Sequence, residues 1–124
     1  MTRLALILAM AMTAVPVLVA PAYAEAPEVT DVRVEKDGMG WRFFVTILHP
    51  DSGWDHYADG WEVLDADGNV LAFRKLHHPH VTEQPFTRSL GNVMVPDGTR
   101  EVYVRASCSV DNWVGEPVPV AVPY

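Results

Sequence analysis

The sequence predicts an all-β chain, an antiparallel two-sheet sandwich of about seven short strands. Three observations carry this. Apolar residues recur with period two, and no window holds a sustained period of 3.6. Turn residues punctuate the chain roughly every 8–12 positions, as in sandwich domains. Aromatic residues make up 10% of the chain, and β-branched residues are frequent. That composition suits half-buried pleated surfaces and is too apolar for disorder.

The first 24 residues predict an address rather than a fold element. Arg3 supplies a positive start, Leu4 to Val15 is apolar, and Pro16 breaks the run. Ala22-Tyr23-Ala24 places small residues where a signal peptidase reads, and Glu25 follows. Residues 1–24 are therefore expected to be a removed signal peptide, and 25–124 a single β-sandwich domain. A membrane anchor fits less well, because the run is short, interrupted and without a basic flank. No Cys stands at the cleavage site, so a lipid anchor of the bacterial type is not expected there. The expected location is periplasmic or secreted, with no embedding in a membrane after cleavage.

The strands follow in order. Val32 and Val34 alternate with Asp31, Arg33 and Glu35, and the glycine-containing stretch from Lys36 to Gly40 turns the chain. Trp41, Phe43, Val45 and Ile47 share one face of the next strand. Arg42, Phe44, Thr46 and Leu48 share the other, which predicts cover on both sides. His49-Pro50 ends it, since proline cannot donate to a ladder. A loop is expected from Asp51 to Gly60. Trp61–Leu64 and Val70–Leu76 flank Asp65-Ala66-Asp67-Gly68-Asn69, whose Asp-Gly chemistry predicts a hairpin turn. That turn also looks like the start of a calcium-binding loop, but it lacks the closing Glu and flanking helices. His77–Pro85 reads as irregular. Phe86–Leu90 and Val93–Val95 read as two short pieces, the second stopped by Pro96-Asp97-Gly98. Val102, Val104, Ala106, Cys108 and Val110 form one face of a strong strand. Val118, Val120 and Val122 alternate with Pro117, Pro119 and Pro123, which confines the last strand to a sheet edge.

Val102-Tyr103-Val104-Arg105-Ala106, then a turn, then Glu116-Pro117-Val118, resembles the F and G strands of fibronectin type III domains, an immunoglobulin-like sandwich. Trp41 lies near that family's strand-B core Trp, and Pro27–Val34 fits its strand A. The resemblance implies a fold, and a fold does not imply a function. His78–Leu90 and Gly53–Asp59 are also similar to a group of small exported bacterial proteins of unassigned function. That likeness implies no activity.

The chain carries 9 basic and 16 acidic residues, a net charge of −7. A nucleic-acid partner would need a basic face, so none is expected. One cysteine allows no internal disulfide, so the fold must hold by its core.

All five histidines fall between positions 49 and 80: His49, His56, His77, His78 and His80. His78 and His80 are two apart, so an extended chain points both to one side. Such a pair can hold a transition metal, copper or zinc, with His49, His56 or His77 as partners. Asp51, Asp55 and Glu83 could ligate or fix an imidazole tautomer, and Met94 and Cys108 are soft donors. Hydrogen-bonded loop histidines are the plainer alternative. The loop from Asp51 to Asp59 offers Trp54, Tyr57 and Asp55 as an interaction surface, or carboxylates for calcium. Its structural reading has Trp54 plugging the end of the core. Arg88 could bind an anion, but pairing with Glu83 or a carboxylate of that loop is the favoured reading. Cys108 lies in phase with the valines and is expected to be buried; at a strand end beside the histidines it would become a ligand. Hydrolase, phosphate-loop and dinucleotide motifs are missing from the sequence. The expectation is an exported non-enzymatic binding protein for copper or zinc. The alternative is a metal-free module that meets an extracytoplasmic protein or a glycan through Trp54 and Tyr57.

Overall fold

The computed structural model describes residues 13–16 and 26–124. The signal-peptide reading lies outside the described residues, apart from positions 13–16. Among the described residues no helix is long and apolar enough to cross a membrane.

Seven strands follow one another: β1 (Glu28–Asp37), β2 (Gly40–Leu48), β3 (Ala58–Leu64), β4 (Val70–Lys75), β5 (Phe86–Val93), β6 (Glu101–Cys108) and β7 (Val118–Ala121). They form two antiparallel sheets, ordered β1-β2-β5 and β4-β3-β6-β7. Trp41, Phe43, Val45 and Ile47 of β2 face inward, as their alternation predicts, and meet Trp61, Val63, Val102, Val104 and Ala106 of the other sheet. Phe86, Val93, Leu76 and Val120 complete the core. Removing each large apolar side chain from water contributes about 1.5–3 kcal/mol, so this shared layer is what holds the sheets together.

The turns follow their chemistry. Gly38, at φ 59°, lets β1 fold back onto β2 with Asp37 opposite Gly40. At the Asp65–Asn69 hairpin the Asp65 carboxylate accepts from the backbone N–H groups of Asp67 and Asn69, both at 2.9 Å. Its pKa is held below the usual carboxylate value, first by the Asn69 side chain and then by these backbone donors. The proline-bearing β7 is an edge strand, as its sequence requires.

Four details differ from the sequence reading. The outer face of β2 is only half covered: among the described residues no layer lies over that sheet, and Phe44 is sheltered by Arg33 at 4.1 Å rather than by a core. β3 begins at Ala58 and not at Trp61, because Ala58 already pairs with Cys108. β5 is one strand and not two. Gly91 and Asn92 form a bulge in it, with Asn92 at φ 56° and the register shifting opposite Trp41 and Phe43. A Cβ at Gly40 would come within 2.9 Å of the Val93 carbonyl oxygen, so the two backbones touch there. Finally, Val110 is outside β6. The strand stops at Cys108, where Cys108 and Asn112 exchange backbone hydrogen bonds around a turn, and Val110 is 54% exposed.

Replacing Phe43 by Ala is expected to lower the unfolding free energy by about 3–5 kcal/mol, since its side chain is fully buried. Replacing the exposed Met39 at the first turn should change it by less than about 0.5 kcal/mol. Urea denaturation of the two variants measures both; equal effects would contradict this placement of the core.

Candidate metal centre

One end of the sandwich gathers the ends of three elements. His49 directly follows β2. His56 lies in the loop before β3. Cys108 is the last residue of β6. The pairing of Ala58 with Cys108 fixes the start of β3 beside the end of β6, and Ser109 N donates to Tyr57 O at 2.9 Å. Ile47 pairs with Phe86, which brings the segment between β4 and β5 to the same end.

At the centre is a buried carboxylate. Asp51 Oδ1 accepts from His49 Nδ1 at 2.5 Å and from Ala58 N at 2.9 Å. Asp51 Oδ2 accepts from His80 N at 2.7 Å. His49 N in turn donates to Gln84 Oε1 at 3.0 Å, and Gln84 Nε2 donates to His80 O at 2.8 Å. A carboxylate on Nδ1 places the imidazole proton there and leaves the Nε2 lone pair free. His49 is fully buried, and its Nε2 has no hydrogen-bond partner. An unsatisfied buried imidazole nitrogen costs about 1–3 kcal/mol, so its presence asks for an explanation.

His49 also belongs to a group of possible donors. Single ligand atoms of His49, His56 and Cys108 all lie within 4.8 Å of one another. The His49 and His56 rings meet edge to face at 4.8 Å. Cys108 is fully buried, as its phase predicts, and it also sits at the strand end beside the histidines, so both expectations about its place hold together. Its S–H donates to Asp111 Oδ2 at 3.7 Å, and Asp111 N donates to its sulfur at 3.2 Å. Two imidazoles and a thiol are borderline-to-soft donors, the set that suits zinc or copper.

The other histidines stand apart from this group. His77 and His78 are exposed, and His78 Nδ1 is 3.1 Å from the Pro79 carbonyl. His80 is buried and stacks on Phe86 with centroids 3.9 Å apart. Its Nε2 accepts from Arg88 Nη2 at 2.9 Å, because a guanidinium only donates. The proton must then sit on Nδ1, which is 4.0 Å from Asp51 Oδ2. The His78 and His80 rings lie 4.5 Å apart, yet the Arg88 cation occupies the nitrogen that a shared ion would need. Arg88 also reaches Glu83 at 3.2 Å, so it ties the β4–β5 segment to β5. Trp54 does not plug the core. It is 68% exposed and packs edge to face on Tyr57 at 5.6 Å, next to the exposed Asp55. The tight bridge between Gly53 and His56 turns it outward.

An all-β chain of two antiparallel sheets, with a largely buried His-His-Cys group at one end, is the class that fold and site define. It is 40% identical over 93 residues to a protein of Halomicrobium mukohataei named "Putative lipoprotein". The match takes in 74% of this chain and 45% of that relative, so the chain spans less than half the relative's length. No family model matches the chain, and no solved structure does.

Burial holds the His80 imidazole below the usual pKa of 6.5, with Arg88 and His78 acting the same way and Glu83 and Asp51 opposing. An unfolded His80 takes up its proton near 6.5, whereas the folded one resists it. Its contribution to stability is therefore complete above 6.5 and is lost as the pH falls through the folded value. Unfolding free energy measured by denaturant should decline on acidification from pH 6.5, and His80→Gln should flatten that limb. An unchanged slope in the variant would rule His80 out as its source.

Proposed function

We propose that this chain is an exported, non-enzymatic β-sandwich protein that binds copper or zinc through His49, His56 and Cys108. The observation that carries the reading is the fully buried His49, whose Nε2 has no hydrogen-bond partner and whose ring brings a ligand atom within 4.8 Å of donors on His56 and Cys108. The Asp51–His49 contact supports it, since metal-bound histidines characteristically donate their second nitrogen to a carboxylate. Export draws on the signal-like first 24 residues and on the name of the relative, "Putative lipoprotein". The finer fold assignment, fibronectin type III-like, draws on pairing. The candidate A and B strands, β1 and β2, share one sheet, the candidate F and G strands, β6 and β7, share the other, and Trp41 is buried.

Protein purified without a histidine tag should bind zinc or copper with micromolar or tighter affinity in competition with a chromophoric chelator. Cys108→Ser, and His49→Ala where it folds, should weaken binding at least about 10-fold, while a His77→Ala/His78→Ala variant should bind as the wild type does. Absence of binding by the wild-type protein defeats the reading.

The exposed Trp54–Tyr57 pair favours a second role, a contact surface for an extracytoplasmic protein or glycan. Acrylamide should quench Trp54 fluorescence strongly, measured as the difference between wild type and Trp54→Phe. A difference spectrum typical of a buried, unquenched indole defeats this role.

A further inference from the structure

We infer that Asp111 is the fourth ligand of the His49–His56–Cys108 group, and that the completed site is built for a divalent ion of the zinc class rather than for Cu(I). The inference rests on the metal reading above and specifies the ion.

Distances come first. Around a tetrahedral zinc with bonds of about 2.0–2.3 Å, ligand atoms sit about 3.3–3.6 Å apart. Asp111 Oδ2 is 3.7 Å from Cys108 Sγ and 4.0 Å from His56 Nε2. The carboxylate oxygen thus already stands close to ligand spacing from two of the three donors, with no protein group needed between them.

The placement of the donors points the same way. His49 is held by Asp51, and Cys108 by the β3–β6 ladder. His56 and Asp111 come from loops, with side chains 15% and 29% exposed. Two ligands thus sit on or against the regular framework and two on the loops beside it. The S–H that now points at Asp111 is the proton an ion must displace, and sulfur and carboxylate then face the same cation.

Charge decides the ion. A thiolate and a carboxylate together balance a dication. A monovalent copper would balance the thiolate alone and leave the partly buried Asp111 carboxylate without a balancing charge from the ion. Cu(I) is content with soft donors, whereas a hard carboxylate oxygen adds to the hold on Zn²⁺.

The test compares wild type with Asp111→Asn, which keeps the side-chain size and leaves the Asp111 N–H bond to Cys108 in place. Three probes are titrated: Zn²⁺ and Cu(I) against competing chelators, and Co²⁺ by visible absorption. The variant should lose at least about 10-fold in Zn²⁺ affinity and change its Co²⁺ d–d spectrum, with Cu(I) affinity kept within about twofold. Thermal unfolding of the metal-free proteins checks that both are folded; if Asp111→Asn is not, Asp111→Glu serves, and should retain Zn²⁺ binding with a shifted Co²⁺ spectrum. Equal Zn²⁺ affinity and identical Co²⁺ spectra overturn the role of Asp111. Tight Cu(I) binding without Zn²⁺ binding by the wild type overturns the choice of ion and leaves the metal reading standing. Binding of no ion overturns both.

Discussion

A carboxylate taken out of water must have its oxygens filled by donors, and Asp51 meets that demand in a way that organises one whole end of the molecule. It accepts from the side chain after β2, from the first backbone N–H of β3 and from the backbone of the β4–β5 segment. Both sheets and the longest irregular stretch therefore converge on two oxygens. The arrangement fixes the His49 ring, sets the tautomer of its neutral form, and ties the end of β2 to the start of β3, where Cys108 pairs. Removing the carboxylate would leave three buried donors unmet, so the site and the end of the core stand or fall together.

Outside that end the fold is ordinary sandwich physics. The inward faces of β2, β3 and β6 pack on one another, while the outward faces rely on local pairs. Glu62 and Arg105 form one such pair on the four-stranded sheet, with the Arg105 guanidinium 5.0 Å over the Trp113 ring. A buried Glu beside an Arg that is itself roofed by an aromatic ring is a compensated charge, not a binding signal.

What the sequence made legible was local. The Asp65–Asn69 turn and the proline-marked β7 are dictated by the chemistry of adjacent residues, and period two exposes the inward faces of β2 and β6. Two of the misreadings, β5 as two pieces and Val110 as part of β6, share a cause. Asn92 and Asn112 both take φ 56°, one inside a strand as a bulge and one at a strand end as a turn, and neither carries a Gly or Pro that marks its role alone. The site follows the same division. That histidines cluster near strand ends was visible; that His49 and His56 meet Cys108, while Arg88 engages His80, depends on how two sheets stack, which no spacing encodes. Asp111 was invisible for the same reason, being one acid among sixteen.

The prolines of the last strand reach beyond its place in the sheet. β1 and β7 border an open groove of about 510 Å³, lined by Val29–Val34 and by Val118–Ala121 with Pro123. Among the described residues both are edge strands, and an open edge is where a foreign strand would add itself. Pro119 and Pro123 strip donors from one wall of that groove, and Asp31 and Arg33 interrupt the other with charge. A stray strand laid there finds gaps where it needs a continuous ladder, so the molecule carries its own guard against growing end to end into fibres.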